Sequence, residues 1–443
     1  MAFIFEVGAL KLKNWHSFKA LDKYFLFDVP SNSLFMIEAP VHQYLQGVPL
    51  SKVEQEQIEA DLAELKVLGY LLEAPELEPE LKRDQTLKAL CLHISHDCNL
   101  RCKYCFADTG PFGGDREQMS YEVGKDALDL LLKESGKREQ LEVDFFGGEP
   151  LLNLEVVKQL VAYGRQAGAA TGKKINFTLT TNGIALNQPA QEFLNKAEIA
   201  MVLSLDGRPE VNDRLRGTNC YHQIVPHFQQ LLAGRNQQNY YLRGTYTAHN
   251  LDFTNDVRHL YELGFRELSL EPVVSSEGDY QLKLEHLPLI ELEYEQLAAY
   301  YLERKLAGDP FTFFHFEVSL EHGPCLPKRL TGCGAGFDYF AVTPQGDLYP
   351  CHQFVGRTEY KMGNVLDGIT QSKLRQEFGS ATLYKKQGCA DCWSRFYCSG
   401  GCHANAALLN GSIYQPDELG CALQRKRLEC ALAIKGILLE QNS

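Results

Sequence analysis

The chain has 443 residues, 44% apolar, 23% charged and 11% aromatic, the profile of a folded protein of about three domains rather than a disordered or collagen-like chain. Its 57 acidic and 44 basic side chains leave a net charge of −13, which argues against nucleic acid as the main partner, because phosphate binding needs a basic surface. No apolar run approaches the roughly 18 residues of a membrane span, and the opening MAFIFEVGALKLKNW lacks the parts of a secretory signal, so no membrane partner and a cytoplasmic location are expected.

Residues 1–80 read as a small separate unit. The strand-like runs FIFEVGAL, YFLFDV and SLFMIEA are broken by polar turns such as Pro30-Ser31-Asn32-Ser33. Ile58, Leu62, Leu65 and Leu68 then recur at helical spacing, with Gly69 as a stop signal. Ala74–Asp84 is rich in Glu and Pro and reads as a linker.

From 88 to 306, short apolar strands alternate with helical patterns. The strands are LCLHIS (90–95), LEVDFF (141–146), INFTLTT (175–181), AMVLSL (200–205), YLRGTYT (241–247) and LSLEPVV (268–274). Such alternation predicts an α/β fold of parallel strands with helices outside, here an open, partial (β/α)6 TIM-type barrel. Sites in such folds sit at the carboxyl ends of the strands. From 320 to 425 cysteine and glycine dominate and long periodic segments are scarce, a region that needs metals or cross-links to hold it. A last helix, Leu428 to Leu439, closes the chain within 426–443.

The 14 cysteines read better as metal ligands or catalytic thiols than as disulfides in a cytosolic chain of this size. Three lie directly after the first barrel strand, Cys98-x3-Cys102-x2-Cys105. A four-iron cluster takes four ligands, so three thiolates leave one iron open to a small molecule that offers an amine and a carboxylate. The bland alternative is a Cys3His zinc site using His93 or His96.

The loop HDCNLRCKYCF resembles the signature of the radical S-adenosylmethionine (radical SAM) superfamily. In that family Tyr104 would pack near the adenine. The second strand ends in Phe146-Gly147-Gly148-Glu149-Pro150, which resembles the family's GGEP motif, whose backbone and carboxylate hold the methionine ammonium. Glycines allow close backbone approach, and a carboxylate pairs with an ammonium. Thr181-Asn182-Gly183 ends the third strand and Ser204-Leu205-Asp206-Gly207 the fourth. By the same resemblance Asn182 belongs to the cofactor site, Ser204 and Arg216 contact SAM, and Arg216 faces its carboxylate.

Cys333, Cys351, Cys389, Cys392, Cys398, Cys402 and Cys421 resemble in spacing the SPASM extension of radical SAM enzymes, which carries two auxiliary iron–sulfur clusters. The resemblance implies three [4Fe-4S] clusters in all. It assigns Cys389, Cys392, Cys398 and Cys421 to one auxiliary cluster, and Cys333, Cys351 and Cys402 to the other. Either Cys325 or a substrate thiolate completes the second. Paired zinc knuckles are the alternative.

The segment GPCLPKRLTGCGAGFDYFAVTPQGDLYPCHQFVG (323–356) closely resembles the maturases of six-cysteine (SCIFF) peptides, which join a Cys sulfur to the α-carbon of another residue in a ribosomal precursor. Related sulfatase-maturating enzymes have Asp after the Cys of the YPC segment. Here that position is His352, a candidate base or a structural histidine, and the departure weakens a formylglycine-forming reading. The N-terminal unit resembles the winged-helix-like domain that recognises precursor leaders, a sheet that takes the leader as an added strand. A DNA-binding winged helix is disfavoured by the 10 acidic and 4 basic residues in 51–84.

The expected function is therefore thioether installation in a Cys-rich precursor peptide through a 5′-deoxyadenosyl radical, with an electron donor such as flavodoxin or ferredoxin as second partner. The alternatives are oxidation of a Ser or Cys in a protein partner, and a zinc-stabilised scaffold without turnover.

Overall fold

The computed structural model describes residues 14–71, 83–321 and 325–441. FIFEVGAL and nearly all of the Ala74–Asp84 segment lie outside them. The described residues form two compact units, each discontinuous in sequence: those within 1–82, 287–332 and 381–443 make the first, and those within 83–286 and 333–380 the second.

In the first unit, β1 (Trp15–Ala20), β2 (Lys23–Asp28) and β3 (Ser33–Ile37) form an antiparallel sheet in the order β1-β2-β3. Two helices follow, α1 (Ala39–Leu45) and α2 (Lys52–Val67). A capping box starts α2: the Ser51 hydroxyl accepts from the Glu54 amide and the Glu54 carboxylate from the Ser51 amide. Of the apolar stripe on α2, Ile58 is buried, Leu62 and Leu65 are half-buried and Leu68 is exposed. The sheet closes onto the last helix of the chain, Glu418–Gln441. Phe18, Phe25 and Phe27 share a core with Leu428, Leu432, Ala433 and Ile437. That helix begins ten residues before the periodic segment Leu428–Leu439, because Ala422 and Leu423 are also buried and extend the apolar face through the charged run Arg425–Arg427.

The second unit holds six parallel strands in sequential order: β4 (Ala89–Ser95), β5 (Gln140–Gly147), β6 (Lys174–Thr181), β7 (Ala200–Ser204), β8 (Tyr240–Tyr246) and β9 (Glu267–Pro272). Helices α3 (Tyr121–Glu134), α4 (Leu154–Ala170), α5 (Gln188–Lys196), α6 (Pro209–Arg216), α7 (Tyr221–Ala233) and α8 (Phe253–Glu262) fill the crossovers, the topology of a partial barrel. Along β5 and β6 the side chains alternate. Leu141, Val143, Phe145, Ile175, Phe177 and Leu179 are buried, whereas Glu142, Asp144, Phe146, Asn176, Thr178 and Thr180 keep solvent access on the other face. All seven residues of β4 are buried, because the sheet continues past it. Tyr339–Val342 pairs in parallel with Ala89–Leu92, and Asp347–Tyr349 pairs antiparallel to Tyr339–Val342. The cysteine-rich region thus adds strands to the barrel sheet.

Candidate active site

The carboxyl ends of β4 to β7 converge on one constellation. The chain leaves β4 at Ser95, where its register against β5 shifts. It then enters the loop that carries Cys98, Cys102 and Cys105. Gly147 and Gly148 dock the end of β5 onto that entry: the Gly148 amide donates to Ser95 O at 2.8 Å and the Glu149 amide to Asp97 O at 2.9 Å. A Cβ on Gly147 would lie 2.3 Å from Ser95 O, and one on Gly148 2.2 Å from Asp97 O. The glycines therefore serve a backbone-to-backbone contact that positions the cysteine loop.

Glu149 is fully buried. One oxygen accepts from the Leu151 amide (3.0 Å) and the Thr181 hydroxyl (2.9 Å), the other from the Asn182 amide (2.8 Å). Burial pushes its pKa up to about 7, against the pull of these donors. Pro150 opens the short 3-10 turn Pro150–Asn153 behind it. The Asn182 amide group reaches back to the cysteine loop, 2.8 Å from Asn99 Oδ1 and 3.5 Å from Cys98 Sγ. The third strand end is thus tied to both of the first two.

At the fourth strand end Ser204 is half-buried and stands in register with Arg243 of β8. Two residues on, the buried Asp206 pairs with Arg216, the last residue of α6 (Nε–Oδ2 2.9 Å, Nη2–Oδ1 2.8 Å). Burial alone would disfavour the guanidinium charge, but the Asp206 carboxylate more than offsets it and raises the Arg216 pKa. Asp206 also accepts from Tyr104 Oη (2.6 Å) and the Thr245 amide (2.9 Å), and the Lys103 amide donates to Leu215 O (2.8 Å). Arg216 and Tyr104, assigned from sequence to different parts of the cofactor, meet on one carboxylate. The signal for Asp206 was present: an acid at a strand end, ten residues before a basic helix terminus.

His93 and His96, the zinc alternatives, bond to each other instead (Nδ1 to Nε2, 3.0 Å), packed on Phe112. Burial lowers the pKa of both, that of His96 to about 4. His352 packs on Phe106 and Phe146, with ring centroids 5.4 and 4.9 Å away, so it borders the cysteine loop and the end of β5. Burial takes its pKa down to about 4, which leaves it neutral.

Among the described residues no group of three or more His, Cys, Asp or Glu side chains is arranged to cage a single metal ion. The cysteines group by proximity. Cys98, Cys102 and Cys105 lie within one another's electrostatic reach, and burial pushes Cys98 up to about 11 and Cys102 up to about 12. Cys389, Cys392, Cys398 and Cys421 form a second such group, with burial taking Cys389 to about 12 and Cys421 to about 11. Buried thiols of this kind become thiolates when a cationic centre takes them as ligands, and all-sulfur sets of three and four fit iron–sulfur clusters. In the second unit the Gly336 amide donates to Pro350 O (2.9 Å), which ties the loop after the exposed Cys333 to the buried Cys351. Cys325 and Cys402 are exposed and belong to the first unit. Among the described residues no helix is long and apolar enough to cross a membrane.

Residues 89–222 match the family described as a 4Fe-4S single cluster domain, and residues 333–393 match the SPASM iron–sulfur cluster-binding domain. Both are iron–sulfur families, which counts against the zinc alternatives. The chain is 25% identical over 338 residues to the cysteine-type anaerobic sulfatase-maturating enzyme of Clostridium perfringens, covering 71% of this chain and 88% of that protein. Among solved structures it resembles native anSMEcpe with bound AdoMet and Kp18Cys peptide, with a TM-score of 0.66 at 22% identity over 81% of this chain and all of that one. It also resembles Streptococcus suis SuiB bound to its precursor peptide SuiA, with a TM-score of 0.54 at 17% identity over 92% of this chain and 98% of that one. At these identities the structural likenesses speak for the fold.

Proposed function

We propose that this chain, a radical SAM protein with a SPASM region, is a maturase that modifies a ribosomally made precursor peptide. The observation that carries the reading is the junction of the Cys98–Cys105 loop with the Gly147–Glu149 turn, held by the Ser95 and Asp97 carbonyls. It sets a three-thiolate cluster loop beside a buried carboxylate. When bound there, a cluster with SAM would supply radical chemistry for hydrogen abstraction from the peptide.

The protein's own residues bind and orient. Cys98, Cys102 and Cys105 hold the cluster and leave one position open. Glu149, with the Gly147–Gly148 backbone, receives the methionine ammonium, and Pro150 braces this turn. A pKa near 7 lets Glu149 take a charged partner in the physiological range. Arg216, kept charged by Asp206, faces the carboxylate, while Tyr104, Asn182 and Ser204 line the nucleoside side. His352, held neutral above about pH 4 by burial, is too weak a base for a thiol proton and packs on Phe106 and Phe146 as a structural histidine beside the cysteine loop. Cys389, Cys392, Cys398 and Cys421 hold one auxiliary cluster, and Cys333, Cys351 and Cys402 are ligands of the other, completed by Cys325 or by a thiolate of the peptide. The β3 edge of the three-stranded sheet receives the leader as an added strand. A flavodoxin- or ferredoxin-like protein supplies electrons.

The finer proposal is that the product is a Cys-sulfur-to-carbon thioether, as the likeness of residues 323–356 to SCIFF maturases implies. The second reading is oxidation of a Ser or Cys, the reading favoured by the 25% identical sulfatase-maturating relative. Mass spectrometry of a Cys-rich precursor after reaction separates the two. A thioether removes two hydrogens and keeps the sulfur in a link that resists reduction and alkylation. Conversion of Cys to formylglycine loses the sulfur. A precursor that emerges unmodified while SAM is consumed overturns the peptide reading.

A further inference from the structure

Lys386 is an almost wholly buried lysine, 2% exposed, three residues before Cys389. Its ammonium donates to Gly400 O at 2.9 Å and Gly401 O at 3.3 Å. Both glycines have left-handed backbones, φ +81° and +71°, as does Ser399 at +59°. That turn is bifunctional. Its Gly400 and Gly401 amides act on the Cys398 thiol, the Gly401 amide also donating to Cys398 O at 3.2 Å, while its carbonyls accept from Lys386. A Cβ on Gly400 would come within 2.7 Å of Lys386 Cδ, so the glycine lets the lysine stem lie against the turn. The charge lies within electrostatic reach of both Cys389 and Cys398.

We infer that Lys386 is an electrostatic tuning residue for the centre held by Cys389, Cys392, Cys398 and Cys421. The inference rests on the assignment of that quartet to an auxiliary cluster. Four thiolates concentrate negative charge, and adding an electron to their centre adds more. A fixed positive charge in a poorly screened interior lowers the cost of that electron, and net charge and hydrogen bonds to the sulfurs are recognised determinants of cluster potential. Lys386 supplies the charge, and the turn it pins supplies the hydrogen bonds. The quartet centre is thereby easier to reduce than it would be without Lys386, which suits it to hold the electron that the peptide gives up.

The test is a redox titration of the reconstituted full-length protein, followed by electron paramagnetic resonance, with iron counted in parallel. Lys386→Gln keeps a donor for the glycine carbonyls but removes the charge. It is expected to bind the same iron and to shift one cluster signal to lower potential, leaving the others in place. Lys386→Arg, which keeps the charge, is expected to titrate like the wild type. Should Lys386→Gln not assemble, the arginine variant decides, and a displaced midpoint there overturns the inference. Iron undiminished in a Cys389→Ala/Cys421→Ala variant overturns the quartet assignment itself. Iron lost from that variant, together with an unmoved potential in Lys386→Gln, overturns the role of Lys386 alone.

Discussion

The carboxylate of Asp206 meets the guanidinium of Arg216 through two hydrogen bonds of 2.9 and 2.8 Å, with both side chains buried at the end of β7. The same carboxylate accepts the Tyr104 hydroxyl, so one residue orients the cation and the aromatic ring assigned to the cofactor. Removing one member of such a pair leaves the other charged and uncompensated, at a cost of about 3–5 kcal/mol. Asp206→Asn is expected to lose stability of that order in urea denaturation and to bind SAM more weakly. Asp206→Asn combined with Arg216→Met should lose less than the sum of the single changes. Simple additivity would mean that the two residues act independently.

Glu149 predicts a pH dependence. Its folded pKa, about 7, lies above the ordinary 4.5, so the folded state holds the proton more tightly. The resulting stability is complete below about pH 4.5 and is lost as pH rises through 7, an amount on the order of 3 kcal/mol. Glu149→Gln, which cannot ionise, should flatten that fall in protein without SAM. Denaturant midpoints at pH 5 and pH 7.5 for both proteins give the answer. Parallel losses in the two would remove Glu149 as the source.

Replacing Cys98, Cys102 and Cys105 together with Ala is expected to remove about four irons per chain and to abolish 5′-deoxyadenosine production. The Cys389–Cys421 group should keep its iron, because the two sets lie in different compact units. SAM cleavage above background in the triple variant contradicts the assignment of the triad.

Leader recognition calls for point changes rather than removal of residues 1–80. Phe18, Phe25 and Phe27 share a core with the C-terminal helix, so truncation would strip that helix of its cover. β3 is an edge strand, and along an antiparallel edge alternate amides face outward. Of Phe35→Pro and Met36→Pro, the one that removes an outward amide should weaken precursor binding several-fold with little loss of stability, and SAM cleavage without peptide should persist. Binding by both variants at wild-type strength, measured by fluorescence anisotropy of a labelled leader, would move the recognition surface elsewhere.

All six barrel strands were legible to within two residues, because parallel strands carry compact apolar runs such as LCLHIS and INFTLTT between amphipathic helices. The cysteine groups were legible because their chemistry is confined to a few residue types at short spacing. β1 was not foreseen: in WHSFKA the polar Ser17 is buried, so the alternation is blurred. The pairing of Tyr339–Val342 with β4 joins segments far apart in sequence and leaves no local periodic trace. The Asp206–Arg216 bond was hidden for the opposite reason. Asp206 closes the fourth strand and Arg216 ends the following helix, and it is the fold of the intervening turn that brings them together.

That distant pairing has a consequence for how the protein is made. Ala89 emerges from the ribosome about 250 residues before its partner Tyr339, an interval of roughly 12–50 seconds at common elongation rates. Throughout that interval the fully apolar flank of β4 is an uncapped sheet edge, the kind of surface that recruits other chains. Folding of the second unit therefore cannot finish until its last segment, 333–380, has emerged, and the nascent chain has its longest exposure to aggregation, and its greatest need of a chaperone, along Ala89–Leu92.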